Sequence, residues 1–119
     1  MTTGAAVVVA ITVAMNAFSG IAALVHWRAI LPGMAKADVP ESWLTFPIGT
    51  LKTAGAVGLL AGLLAQLPAL VAAAAIGLVL FFVCALYTHV RAADYTAQFF
   101  LAVGFLAMAS ASLVLTLPS

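Results

Sequence analysis

The side chains able to donate, accept or exchange a proton fall at the ends of long apolar runs. His26 and Arg28 close the first run, and Lys52 sits early in the second. Tyr87, His89 and Arg91 close the third, and Asp94 and Gln98 open the fourth. If the runs are antiparallel helices, all of these groups meet at one end of a bundle. Lys52 is the most informative of them, because a charge near hydrocarbon is costly and marks a functional site by default. Such a lysine can hold an anionic or carbonyl-bearing ligand, or exchange a proton as general acid or base. Glu41 or Asp94 would then be its counterpart. Snorkelling of its ammonium to the headgroups is the structural alternative.

The first run adds a polar stripe. Asn16, Ser19 and His26 fall within an arc of roughly 80° at about 100° per residue, leading from mid-run to the charged end. An amide in lipid needs partners, so Asn16 either lines a cavity or bonds a neighbouring backbone. Tyr87 and Arg91 are four apart and Arg91 and Asp94 three apart, so they share a face if the helix continues, with Arg91 and Asp94 as an ion pair at the turn. His89 points about 200° away from Tyr87. Tyr87 and Tyr95 also suit an interfacial aromatic belt. His26 and His89 have no third ligand at diagnostic spacing, so no metal centre is expected. The candidate catalytic residues are therefore Lys52, His26 and Asp94. The candidate ligand-binding residues are Asn16, Ser19, Glu41, Tyr87, His89, Arg91 and Gln98.

The elements that must position these groups follow from composition. Hydrophobic residues make up 66% of the 119 residues and charged residues 6%, against roughly 25% charged in a soluble domain. Mean hydropathy is +1.29. Such a chain cannot cover a globular surface with water-compatible groups, so its solvent is lipid. The net charge of +1 carries no basic stripe and excludes a nucleic-acid partner. The single cysteine, Cys84, excludes an internal disulfide or a CxxC pair and reads as a small buried hydrophobe.

Four spans of about bilayer length are expected, at 4–27, 48–67, 69–90 and 95–117. Each is near the roughly 20 residues that cross about 30 Å of hydrocarbon. They must be helices, because backbone groups in lipid are satisfied only within the segment. The predicted fold is an all-α, integral membrane, antiparallel four-helix bundle forming one domain. The start, Met1 to Gly4, has no Lys or Arg, so the first run reads as a span rather than a cleavable signal. Pro47 is placed in the first turn of the second span, Pro68 between the second and third, and Pro118 at the end of the fourth. The loop 28–47 mixes both charge signs with aromatic residues and suits a solvated connection better than an interfacial lid.

Gly55, Gly58 and Gly62, with Ala72 to Ala75, Gly77, Gly104, Ala107 and Ala111, form small faces for helix packing. Packing within the chain is favoured over a homo-oligomer through the Gly58–Gly62 face. Arg28, Lys36 and Arg91 lie in the two longer connections. The positive-inside rule therefore puts loops 28–47 and 91–95 in the cytoplasm and both termini outside.

The stretch Ile48 to Gly62, the alanine-rich Ala72 to Leu80, and Ala85-Leu86-Tyr87-Thr88-His89-Val90-Arg91 together resemble the DoxX-like family of small bacterial membrane proteins. Val39-Pro40-Glu41-Ser42 and the four-span layout fit the same family, and the resemblance covers roughly residues 10 to 115. Many members carry an acidic residue where this chain has Lys52. The resemblance implies the bacterial cytoplasmic (inner) membrane, and a link to membrane oxidoreductases that deliver electrons to quinone. No haem, flavin or iron–sulfur motif is present, so a redox role implies a bound quinone or a partner oxidoreductase.

The leading expectation is a pocket for a lipid-soluble small molecule, quinone-like or carbonyl-bearing, at the charged end. Lys52, His26 and Tyr87 would donate to its head, and Asn16 and Ser19 would line the deeper wall. A cofactor-independent isomerase, cyclase or hydrolase using Lys52, His26 and Asp94 is the alternative. A non-catalytic subunit or assembly factor, docking through loop 28–47, is the third.

Overall fold

The computed structural model describes residues 1–117, so the expectation for Pro118 lies outside the described residues. Five α-helices form among the described residues: α1 (Thr3–Leu24), α2 (Leu31–Lys36), α3 (Thr50–Leu64), α4 (Pro68–Arg91) and α5 (Ala97–Thr116). Four of the described segments are long and apolar enough to cross a membrane: α1, Glu41–Leu64, α4 and α5. In the order α1, α3, α4, α5, each long helix packs on the next, and α5 returns to α1. The long dimension is 41 Å, close to the roughly 40–45 Å of a bilayer with its headgroups.

The core shows why this ring is stable in lipid. Val9, Leu59, Val71, Ala75, Leu78, Phe82 and Ala109 fill its centre, while Phe18, Leu64, Leu80 and Phe100 face outward. Apolar burial gives no net drive there, so close approach of backbones must hold the helices together. A Cβ on Gly62 would lie 2.7 Å from Val71, one on Gly58 would lie 3.0 Å from Ala74, and one on Gly55 would overlap Leu78. The glycine face of α3 is thus spent against α4 within the chain. Gly77 and Gly104 meet nothing within 4 Å, so these two small residues do not mark helix contacts.

A second lock is polar. Thr12 on α1 and Ser112 on α5 share a hydroxyl hydrogen bond of 3.0 Å, both fully buried. Thr12 also bonds the Val8 carbonyl, and Thr116 bonds the Ser112 carbonyl. Each hydroxyl keeps a partner in the absence of water.

The helix ends fall short of those expected from hydropathy, at Leu24 rather than 27 and at Leu64 rather than 67. The chain turns at His26, Asp38, Gln66 and Ala93, which adopt positive φ of 53°, 57°, 55° and 52°. At each, the next amide reaches back to a carbonyl five residues earlier: Trp27 to Ala22, Val39 to Met34, Leu67 to Gly62 and Asp94 to His89. This is the Schellman end, usually built on glycine. None of the four positions is glycine, so no glycine signalled where the helices stop.

Loop 28–47 is not a plain solvated connection. It holds two 3₁₀ turns, Arg28–Ile30 and Glu41–Leu44, on either side of α2, and it buries Ala37 and Leu44. Pro47 opens the helical run as expected: the segment Thr45–Gly49 continues without a break into α3, and within it only Phe46 departs from helical angles. Proline disfavours helical geometry in the residue before it, and Phe46 is extended, with φ −144° and ψ 133°. The Phe46–Pro47 peptide is cis. The 15 residues of α3 span only about 22 Å at the usual rise, and the irregular segment above it completes the crossing.

A capped cavity around Lys52

Above Gly55 the glycine contacts between α3 and α4 cease, and a cavity of about 540 Å³ opens between the helices. Loop 28–47 roofs it with Gly33, Met34, Ala37, Trp43 and Leu44. The loop is held down at two points. His26, turned outward by its left-handed backbone, contacts Glu41 at 3.0 Å and Thr45 at 2.9 Å. Arg91 donates to the Asp38 carbonyl at 3.3 Å.

Lys52 projects into the bundle rather than to the headgroups. Its Nζ donates to Ser19 Oγ at 2.8 Å. The rings of Phe105, Phe82 and Phe81 stand around it with centroids at 5.3, 5.6 and 5.8 Å. Ring faces attract a cation electrostatically, and this cage keeps the ammonium inside. Gly20 makes the placement possible: a Cβ there would lie 2.5 Å from Thr53 Oγ1, 2.9 Å from the Thr53 amide and 3.2 Å from Lys52 Cβ. Without a side chain at residue 20, α1 and α3 come close enough for Ser19 and Lys52 to meet.

On the opposite wall, His89 Nδ1 lies 2.9 Å from Asp94 Oδ2, with the carboxylate almost wholly buried. The Schellman end at Ala93 folds Asp94 back beneath His89. The Thr96 amide donates to its second oxygen at 3.2 Å. Thr96, then His89, hold the Asp94 carboxyl below its usual range, with burial opposing them. Binding Nδ1 to a carboxylate fixes the ring and leaves Nε2 as the free nitrogen. His89 lines the cavity, as do Thr88 and Gln98.

The polar residues expected at one site therefore separate. Lys52, Ser19, His89 and Gln98 line the cavity, and Asp94 braces His89 from behind. Asn16 is fully buried but not in the lining; its amide donates back to the Thr12 carbonyl at 3.0 Å, and its Oδ1 has no hydrogen-bond partner among the described residues. His26 and Glu41 pair with each other in the cap fastening, outside the lining. The 80° stripe fails at His26 because α1 ends at Leu24. Tyr87 faces outward at 68% exposure and cannot donate into the cavity. The expected Arg91–Asp94 pair does not form: α4 stops at Arg91, and Asp94 turns to His89.

Cys84 is exposed rather than a small buried hydrophobe, and it lines the cavity with Leu51, Gly77 and Leu80. Those residues are exposed as well, so the cavity communicates sideways with the membrane between α3 and α4. The phenylalanine cage, Cys84 and the cap lining carry no chemical motif; aromatic spacing about Phe81, Phe82 and Phe105 reads as ordinary core. Among the described residues, no group of three or more His, Cys, Asp or Glu side chains could hold a metal ion.

The DoxX-like family model matches residues 7–112. No curated protein and no solved structure gives a significant match. The match covers most of the sequence, and the chain belongs to the DoxX-like family.

Proposed function

We propose that this DoxX-like membrane protein binds one lipid-soluble small molecule, quinone-like or carbonyl-bearing, in the capped cavity. The observation that carries this reading is Lys52: an ammonium held by Ser19 and three phenylalanine rings at the wall of a largely apolar cavity. Sites for small molecules are largely apolar, of roughly 300–1,000 Å³, with a few placed polar groups. Lys52 donates to the ligand's oxygen, Ser19 holds the lysine, and the apolar body lies between α4, α5 and the cap. The ligand enters from the bilayer past Leu51, Leu80 and Cys84. The family resemblance supports a quinone and a partner oxidoreductase in the bacterial inner membrane, and the Lys/Arg distribution supports a cytoplasmic cap.

The test uses Trp43, which lines the cavity. Decylubiquinone is titrated into the protein in lipid nanodiscs, and quenching of tryptophan fluorescence is followed. Wild type gives saturable quenching, and Lys52→Ala weakens it by roughly tenfold to a hundredfold, the equivalent of one charged hydrogen bond of about 1.5–3 kcal/mol. Equal affinity in a folded Lys52→Ala protein sinks the reading.

A second reading is supported by the His89–Asp94 pair on the facing wall. A cofactor-independent enzyme would use His89 Nε2 as base and Lys52 as the donor to a developing oxyanion, with Asp94 orienting His89. His26 would serve only the cap. Turnover lost on His89→Gln while quinone binding persists distinguishes this from simple binding.

A further inference from the structure

We infer that the head of the natural ligand is an ionised carboxylate, so that the cavity takes a single-chain or single-ring amphiphilic acid with Lys52 as its counter-ion. This rests on the cavity reading above and adds the charge and size class of the ligand.

The first ground is charge accounting. Among the described residues no carboxylate lies within ion-pair distance of Lys52. Glu41 is engaged by His26, and Asp94 by His89. Asp38 is exposed on the cap, where Arg91 takes its carbonyl. A cation inside a membrane bundle ordinarily pairs with an acid or a backbone carbonyl. Here its hydrogen-bond partner is one neutral hydroxyl, supplemented by ring faces. Among the described residues no acid is left to neutralise it, so the neutralising group arrives with the ligand.

The second ground is donor geometry. Ser19 Oγ accepts from Lys52, which leaves its own O–H to donate. Lys52 retains further N–H donors beyond the one given to Ser19. Adjacent N–H and O–H donors on one wall match the two oxygens of a carboxylate, one donor to each, whereas a ketone must take both on a single oxygen and brings no charge to the ammonium. The Gln98 amide is a further donor in the lining.

The third ground is shape. A cavity of about 540 Å³ fits one drug-sized body and suits a single-chain acid better than a two-chain phospholipid, the other source of an anionic head in a bilayer. The side opening between α3 and α4 lets an apolar tail pass from lipid while the head stays at Lys52.

The experiment compares cis-parinaric acid with its methyl ester in phosphatidylcholine nanodiscs, reading energy transfer from Trp43 in a Trp27→Phe background and correcting for partition with empty discs. The acid is expected to bind at least tenfold more tightly than the ester. Lys52→Met removes that preference and Lys52→Arg keeps it, with helix content checked by circular dichroism. Equal binding of acid and ester by wild type overturns the inference and leaves the cavity reading standing. So does a preference that survives in Lys52→Met. If neither probe nor decylubiquinone reaches Trp43, both fall. Displacement of the acid by phosphatidylglycerol but not by palmitate also overturns it, in favour of a membrane phospholipid.

Discussion

Gly20→Ala tests whether the α1–α3 crossing builds the site. The new Cβ would sit 2.9 Å from the Thr53 amide nitrogen and 2.5 Å from its Oγ1. The hydroxyl can rotate, but the amide belongs to α3 and cannot. The amide contact is roughly 0.6 Å short of ordinary van der Waals separation, so α1 and α3 must part by about that amount. The Lys52–Ser19 hydrogen bond, now 2.8 Å, would then stretch past the roughly 3.2 Å limit of a good N–H···O bond unless the lysine stem follows. Overpacking of this kind costs about 1–3 kcal/mol. The assay is unfolding by sodium dodecyl sulfate in mild detergent, followed by helical circular dichroism, alongside quenching of Trp43 by decylubiquinone. Gly104→Ala is the control, because nothing lies within 4 Å of it; it should change stability by no more than about 0.5 kcal/mol. Gly20→Ala should lose stability and weaken quinone binding together. Wild-type behaviour of Gly20→Ala in both assays would refute the claim that close approach at residue 20 positions Lys52.

Ala93→Gly should raise the unfolding midpoint, because a left-handed alanine costs roughly 1–2 kcal/mol; the greater freedom of glycine in the unfolded chain offsets part of this. Differential scanning fluorimetry checks it, and an unchanged or lower midpoint argues against the Schellman end there. Cys84 should react with a lipid-soluble maleimide in the folded protein, and saturating decylubiquinone should slow the reaction; intact mass spectrometry reads both. Asp94 has its carboxyl lowered in the folded state, so its stabilisation is complete above the ordinary value of about 3.9 and is lost as pH falls below that through the lower native value. Acid titration of helix stability should show this loss in wild type, and Asp94→Asn should flatten the profile in that window.

Several features of the site were readable in the sequence because they depend on type and local spacing. Lys52 stood out as a charge within a hydrocarbon-length run, and Ser19 stood out on a polar stripe of the neighbouring helix. The glycines of α3 identified the tight face, since only small side chains permit backbone contact in lipid. The roles of His26 and Asp94 were not readable. Each depends on a helix stopping at a left-handed residue that is not glycine, and that choice is made by packing beyond the local chain. The cap was missed for a related reason. Short turns with mixed charges look solvated until Leu44 and Ala37 are seen buried against the bundle.

The sequence by itself determined that this protein lives in lipid and crosses it with four apolar segments. Composition leaves no other solvent, and the backbone then has no other way to satisfy its hydrogen bonds. Only the tertiary structure decided which polar groups face one another. A rotation of two residues turns a side chain from cavity to lipid, as Tyr87 and His89 demonstrate on the same last turn of α4. The ring order of the helices, the crossing at Gly20 and the splay above Gly55 set those rotations, because they fix the distance between residues that are far apart in the chain. The result is a lysine facing a cavity instead of an acid.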